Sequence, residues 1–462
     1  MNIIHKKNKI IDKVLEIQTY KENISYRYLN FVVRYNIENN ILLYNVLTRE
    51  MVSLSDDEIN KDESIRDFLI KNWFLVPADF DDIKFESQIK GMIGLFERKS
   101  QSVNGFTVLT TTKCNARCYY CFERGRSTIN MSHETAIATA DFIIRQSKGK
   151  DVHIGWFGGE PLYNPEVMDT ICSILDRNSI KYTCSIVSNG YLFNQENVEK
   201  AIKQWNIRKA QITLDGTSKI YNRSKSYIYK DDLNPFNTVM KNIRRLLEAG
   251  IKVSIRLNVS KFNAEDLCDL VDELGREFHN TSNLTVYSHA LFELAGFQKK
   301  KESDQYHAEL YLQRKKIEEK IQQYGLSERS LISGSLLMNR CMSDSSISYV
   351  ILPDGHLGKC EHYTDSRFVG EIYNDTIHQE SLCQFKERVP DFPECRECPS
   401  HPDCINLKVC EESTLCFPER RKESLDKIKR QMLNTYEEYK QNTLKNTEEN
   451  EAEIQDTSTE SC

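Results

Sequence analysis

Cys114, Cys118 and Cys121 stand in a Cx3Cx2C array within TTTKCNARCYYCFERG. Three thiolates is the informative count, because a cubic cluster of four irons held by only three of them keeps one iron open for an exogenous chelator. The competing reading is a structural zinc loop with a fourth ligand from elsewhere, His153 being the candidate. A second field is denser. Cys341, Cys360, Cys395, Cys398, Cys404, Cys410 and Cys416, with Cys383 as an eighth candidate, fall in a segment 341–418 with so few apolar runs that its folding is expected to depend on metal. Within it, CRECPSHPDCINLKVCEESTLC also admits a zinc ribbon on Cys395, Cys398 and two later thiols. Cys172, Cys184 and Cys268 lie in runs of helix or strand character and read as small buried hydrophobes. The ten histidines show no HxxxH or HExxH spacing, and none is nominated as a ligand.

The elements that must position these thiols follow from hydrophobic periodicity. Short β-branched or aromatic runs at 106–112, 152–158, 182–189, 210–216, 253–260 and 284–291 alternate with amphipathic stretches such as 133–147 and 238–250. Six alternations predict an α/β fold whose parallel sheet curls into a partial (β/α)6 TIM-like barrel over residues 100–300. Chemistry in such a barrel collects at the carboxyl ends of the strands, and the first cysteine loop leaves that end of the first strand. The next strand runs into Gly158, Gly159 and Glu160, where small residues let a ligand approach the backbone and a carboxylate can accept from an ammonium group. The third ends in Ser188, Asn189 and Gly190, able to bind a ribose or a carboxylate. Either tripeptide alone is a weak signal; both in this order behind the cysteine array are specific.

Upstream, 26–36 and 41–55 read as strands, 62–76 as a short helix and PADFDD as its stop, so residues 1–95 are expected to form a separate hairpin-and-helix unit. Residues 301–340 read as a charged linker helix and 341–420 as the cysteine-rich domain. Residues 421–462 read as a charged helix whose polar, acidic end from 437 onward is expected to be disordered. The chain has 462 residues, enough for about three compact units. Its net charge of −6 argues against a protein built to grip nucleic acid. No apolar run is long enough to span a bilayer and the N-terminus lacks a signal-like apolar stretch, so a cytoplasmic location with no membrane partner is expected. Fifteen cysteines fit a reducing compartment in which thiols serve as metal ligands.

The Cx3Cx2C array with Tyr120 before its last cysteine, followed by GGE and SNG, resembles the radical S-adenosylmethionine superfamily over residues 105–300. The resemblance implies a [4Fe–4S] cluster on Cys114, Cys118 and Cys121 whose fourth iron is chelated by S-adenosylmethionine, with Tyr120 beside the cofactor. Electron transfer from that cluster would cleave the sulfonium to a 5′-deoxyadenosyl radical. It further implies an amino-group site at Gly158, Gly159 and Glu160 and ribose or methionine contacts at Ser188 and Asn189. In ITLDG followed by YNRSK it implies Arg223 opposite the cofactor carboxylate, with Lys225 near the same register. Downstream, GHLGKC ending at Cys360 and the Cx2Cx5C of Cys395, Cys398 and Cys404 resemble the SPASM extension of such enzymes, departing from it where five residues, not three, precede Cys410. The interleaved connectivity of that family implies one auxiliary [4Fe–4S] cluster on Cys395, Cys398, Cys404 and Cys416 and another on Cys341, Cys360 and Cys410, three clusters in all. Two auxiliary clusters want eight ligands; Cys383 or Cys462 supplies the eighth, or one iron stays open to a substrate thiolate.

The N-terminal unit, with LLYNVLTREMVSLS and FLVPADFDD, resembles the winged-helix-like leader-recognising domains of enzymes that modify ribosomally made peptides. There an edge strand can pair with an extended leader; a plain accessory domain is the alternative. The expectation is therefore a radical SAM/SPASM maturase acting on a ribosomal precursor peptide with a leader, with reduced flavodoxin or ferredoxin as electron donor. Its product would be a thioether from cysteine sulfur to carbon, with carbon–carbon or carbon–oxygen crosslinks as alternatives. A second expectation is a sulfatase-maturing enzyme forming formylglycine, in which Glu361, directly after Cys360, would be the acidic base. A third is a non-catalytic, zinc-stabilised binding protein.

Overall fold

The computed structural model describes residues 1–55, 57–58, 62–98, 102–125, 127–291, 300–334, 341–363, 366–410 and 416–459, so Cys462 lies outside the described residues. The chain begins with β1 (Asn2–His5), α1 (Lys9–Val14), β2 (Tyr26–Tyr28), β3 (Val32–Ile37), β4 (Asn40–Asn45), β5 (Met51–Ser55), α2 (Glu63–Lys71), β6 (Leu75–Pro77) and α3 (Asp82–Arg98). An antiparallel sheet of order β1-β5-β4-β3 and a β2–β6 pair result. The run 41–55 is broken into a hairpin because the Asn45 side-chain oxygen accepts from the amides of Leu47 and Thr48 and Arg49 takes a positive φ of 68°. PADFDD opens a helix where a stop was expected. The Asp81 carboxylate accepts from the Lys84 amide at 3.0 Å, satisfying one of the donors that a helix start leaves free.

Six parallel strands then alternate with helices: β7 (Gly105–Thr111), α4 (His133–Ser147), β8 (Val152–Gly158), α5 (Glu166–Arg177), β9 (Tyr182–Ser188), α6 (Gln195–Lys203), β10 (Ile207–Leu214), α7 (Ser218–Lys225), α8 (Pro235–Glu248), β11 (Lys252–Val259), α9 (Ala264–Phe278) and β12 (Leu284–Ala290). Each strand alternates. In β9 Tyr182, Cys184, Ile186 and Ser188 are buried, while the residues between them face the concave side and are more open. The helices answer with apolar stripes such as Phe236, Val239, Met240, Ile243 and Leu246 of α8. Cys172 and Cys184 are buried in this core as expected, and Cys268 is half-buried.

After α10 (Lys300–Gln323), the strand β13 (Ser348–Ile351) lies parallel to β7 and extends the barrel sheet into an antiparallel run of β14 (His356–Gly358), β15 (Gly370–Glu371) and β16 (Thr376–Ile377). The sheet order is β12-β11-β10-β9-β8-β7-β13-β14-β15-β16. The mixed α/β sheet is an open, partial barrel whose β7 edge is covered by the cysteine-rich segment. The chain finishes with α11 (Gln379–Gln384) and α12 (Pro418–Thr459). Residues 437–459, for which composition predicts disorder, continue α12: once a helix is nucleated on packed residues, good helix formers extend it at one hydrogen bond per residue without a core. No helix among the described residues is long and apolar enough to cross a membrane.

Candidate active site

Because β7 to β11 run parallel, their carboxyl ends meet at one rim, and the loop holding Cys114, Cys118 and Cys121 starts there. That loop is tied down on every side. The amides of Gly159 and Glu160 donate to the carbonyls of Thr111 and Lys113 at 3.0 and 2.9 Å. A Cβ on Gly158 would sit 2.1 Å from the Thr111 oxygen, and one on Gly159 2.4 Å from that of Lys113. The two glycines therefore admit the backbone of the cysteine loop itself, a closer partner than the ligand that sequence alone suggests. Asn189 donates to the Asn115 side chain at 2.7 Å, Ile228 to the Asn115 carbonyl at 2.9 Å, and Arg117 to the Lys225 carbonyl at 2.8 Å.

Glu160 is fully buried. Its oxygens accept from the Ser188 hydroxyl and the Asn189 amide, each at 2.9 Å, so GGE and SNG are bonded into one unit behind Cys114. Burial pushes the Glu160 carboxyl up to about 7 against these hydrogen bonds, with Lys225 opposing it from further away. Burial likewise pushes the Cys114 thiol up to about 12, with the charges of Glu160, Cys118 and Cys121 adding to it.

Arg223 and Lys225, the two cations of this segment, have opposite surroundings. Arg223 is exposed on α7, whereas Lys225 is 3% exposed and its ammonium lies 3.1 Å from Asp215 and 2.9 Å from the Tyr120 hydroxyl. Tyr120 in turn donates to Asp215 at 2.6 Å. Burial opposes the Lys225 charge, but Asp215, Tyr120 and Cys118 hold it protonated well above its ordinary range. The difference is one of helix phase: positions two apart on an α-helix point about 200° apart, so only one can face the rim. The structure also adds Asp215, Asn115 and Asn258, whose amide reaches Asp215 at 3.3 Å, to the residues at this rim. The zinc alternative loses its ligand. His153 pairs with Gly105 at the start of β7, about 20 Å of strand from the cysteine loop, and its ring bonds Thr183 and Ser185.

The second field forms two groups. Cys341 and Cys360 lie close enough for their charges to interact, and burial pushes Cys360 up to about 12 with half-buried Glu361 adding to it. Tyr363 donates to the Val409 carbonyl, drawing the segment of Cys410 to the Cys360 loop. Cys395, Cys398, Cys404 and Cys416 line a cavity of about 270 Å³ together with Ser400, His401, Arg420 and Arg421. Arg421 donates to Cys416 Sγ at 3.4 Å. Asp391, Cys395 and His401 place three donor atoms within 4.8 Å of one another, so His401 joins the possible ligands that spacing rules passed over. Cys383 is exposed on α11. Phe122, next to Cys121, stacks on His362 with centroids 4.4 Å apart, so the first loop touches the second field.

Residues 108–274 match the model of the radical SAM superfamily. The chain carries a radical SAM domain. Curated proteins that it resembles include the radical SAM cyclopropyl synthase TigE of Paramaledivibacter caminithermalis, 26% identical over 252 residues, 47% of this chain and 51% of that protein. A GTP 3′,8-cyclase of Clostridium perfringens is 26% identical over 183 residues, 38% of this chain and 53% of its own. The matched stretch thus spans about half the length of these relatives. Among solved structures, anSMEcpe with bound AdoMet superposes with a TM-score of 0.54 at 15% identity, over 73% of this chain and 99% of that one. The same protein with AdoMet and a Cp18Cys peptide gives 0.52 at 16% identity over the same shares. These structural likenesses show that the chain shares the fold of that protein. The radical SAM family implies S-adenosylmethionine and a [4Fe–4S] cluster, and the donor set at the rim fits them. Buried thiols that repel one another as thiolates are stabilised by a cation between them, and three of them leave one metal position open.

Proposed function

We propose that this radical SAM enzyme is a peptide maturase with a SPASM-type auxiliary domain, which crosslinks a ribosomally made precursor, most favourably by a thioether from a cysteine sulfur to a carbon. The observation that carries the proposal is the contact between the two thiol fields, the stack of Phe122, next to Cys121, on His362, two residues after Cys360. Cys114, Cys118 and Cys121 would hold the radical-generating cluster, and Cys341, Cys360, Cys410 and Cys395, Cys398, Cys404, Cys416 two auxiliary ones. When bound, cluster and S-adenosylmethionine together supply a carbon radical able to take a hydrogen atom from a peptide carbon. Lys225 would offer its charge to the cofactor carboxylate, Glu160 with Ser188 and Asn189 would hold the amino and ribose side, and Tyr120 would fix Lys225 through Asp215. Glu361, directly after Cys360, would take the proton of a substrate thiol bound there. Each crosslink removes one hydrogen atom, one proton and one electron from the peptide, and the set on Cys341, Cys360 and Cys410, one ligand short of four, would receive both sulfur and electron.

The bound peptide of anSMEcpe supports a peptide substrate. The N-terminal unit would grip the leader by its β3 edge, and an acidic flavodoxin or ferredoxin in the cytoplasm would supply electrons. The cyclopropyl synthase relative favours a second reading, a carbon–carbon bond. Anaerobic coexpression with the candidate precursor, followed by mass spectrometry, tests both. A loss of about two mass units per link is expected, and alkylation of free thiols separates a thioether from a carbon–carbon bond. Unchanged peptide mass together with active cofactor cleavage overturns the peptide assignment.

A further inference from the structure

The chain between Cys395 and Cys404 has little core of its own. It turns through two short 3-10 segments, Pro393–Glu397 and His401–Asp403, in which only His401 and Pro402 are buried. The residues interleaved with its thiols face the N-terminal unit. The Asn30 side chain donates to the Arg396 carbonyl at 2.6 Å. The His401 ring stacks on Phe31 at 6.1 Å with planes 16° apart, bonds Asp391 through Nε2 at 3.1 Å, and sets Nδ1 3.6 Å from Glu86. Asp403 takes both terminal nitrogens of Arg49, one at 3.0 Å, and Arg49 also reaches the Tyr44 hydroxyl at 3.2 Å. Arg49, Glu86 and His401 are all less than 8% exposed. Beyond the fourth thiol, Cys416, α12 begins at once and sends Ile428, Met432 and Tyr436 into the N-terminal core.

Positions 396, 401 and 403 thus alternate with thiols 395, 398 and 404, and each makes a directional contact across the junction. A buried ion pair adds little net stability, but it specifies one arrangement when its partners are held rigidly. A loop of 3-10 turns cannot hold them alone, whereas four bonds to one centre can. We propose that a metal centre on Cys395, Cys398, Cys404 and Cys416 has a structural function besides any electron transfer: it is the staple that seats the N-terminal unit. Filling the site fixes His401 and Asp403, and these fix Phe31, Glu86 and Arg49. The proposal rests on the reading that these four thiols bind metal, not on which metal. It deepens the functional assignment, because leader capture then depends on loading of this site.

The test is hydrogen–deuterium exchange on the full, anaerobically purified chain, with metal content measured on the same samples. In a Cys398→Ser, Cys404→Ser double variant, loss of one centre's metal should speed exchange in segments 26–54 and 82–98 at least about tenfold while β9, β10 and β11 keep their protection. The same metal loss with unchanged N-terminal exchange overturns the proposal. Should the barrel strands lose protection as well, Arg49→Ala decides. Faster N-terminal exchange with full metal content supports the staple, and unchanged exchange sinks it. A parent chain that seats its N-terminal unit yet binds no precursor peptide would count against the function proposed above and leave the staple standing.

Discussion

Lys225 and Arg223 sit two residues apart on one short helix and have opposite surroundings. Replacing Lys225 by Met removes the partner of Asp215, a carboxylate only 1% exposed, and is expected to cost about 3–5 kcal/mol and to abolish S-adenosylmethionine binding. Arg223→Ala should change stability by less than about 0.5 kcal/mol and leave cofactor affinity intact. Urea unfolding and equilibrium cofactor binding measure both, and equal effects of the two substitutions would remove Lys225 from the site. A second residue offers a pH test away from the thiols. Burial pushes the Glu50 carboxyl from 4.5 to about 7, with Lys7 opposing and Asp12 adding. Between those values the folded chain binds more protons than the unfolded one, so stability contributed by protonated Glu50 is present below pH 4.5 and lost as pH rises towards 7. The loss is up to about 3 kcal/mol, and Glu50→Gln should flatten the thermal midpoint across that window. The choice between Arg223 and Lys225 was not legible in the sequence, because it turns on the phase of α7 and hence on where that helix starts. The three thiols of the first array needed no such phase, since a loop can aim all of them inward.

At the scale of elements, the close approach of β8 to the cysteine loop makes its own prediction. Gly158→Ala or Gly159→Ala drives a Cβ into the backbone of Thr111 or Lys113, and Gly158 also has a φ of +134°. Each is expected to cost about 2–4 kcal/mol and to lower the iron retained by Cys114, Cys118 and Cys121. Gly91→Ala on α3, with nothing within 4 Å of the new methyl, should instead stabilise by about 0.5–1 kcal/mol. Iron content and thermal midpoint of the three variants check both directions. The six barrel strands were legible because their period-two alternation is enforced by a core on one side and an open concavity on the other. β10 alone starts three residues early, at Ile207, a run whose exposed Arg208 and Lys209 hide its strand character. PADFDD misled because acidic residues that read as a stop instead cap the start of α3, where Asp81 accepts from the Lys84 amide. β13 was invisible, since its pairing with β7 joins segments some 240 residues apart and leaves no local pattern.

At the scale of the whole molecule, the last helix connects parts that a domain-by-domain reading keeps separate. α12 leaves the four-thiol site at Pro418 and buries Ile428, Met432 and Tyr436 beside Phe31, Val33 and Leu42 of the N-terminal unit. It is pinned there by the Gln431 and Asn434 amides on Ser330 and by the Thr435 hydroxyl, which accepts from Ile332. Residues 441–445, by contrast, are exposed. Ending the chain after residue 440 therefore removes none of these anchors and should leave the thermal midpoint within about 1 °C. Ending it after residue 426 strips three anchors worth about 1.5–3 kcal/mol each, so the N-terminal unit should lose about 5 kcal/mol while the barrel keeps its own core. The readout is fluorescence of Trp73 against that of Trp156 and Trp205 during urea unfolding, one reporter in the N-terminal unit and two in the barrel. A short truncation as damaging as the long one would show that the outer turns of α12 are packed after all. A long truncation that moved all three reporters together would show that the two units share one cooperative transition, so that anything loosening the N-terminal unit also loosens the rim where the thiols meet.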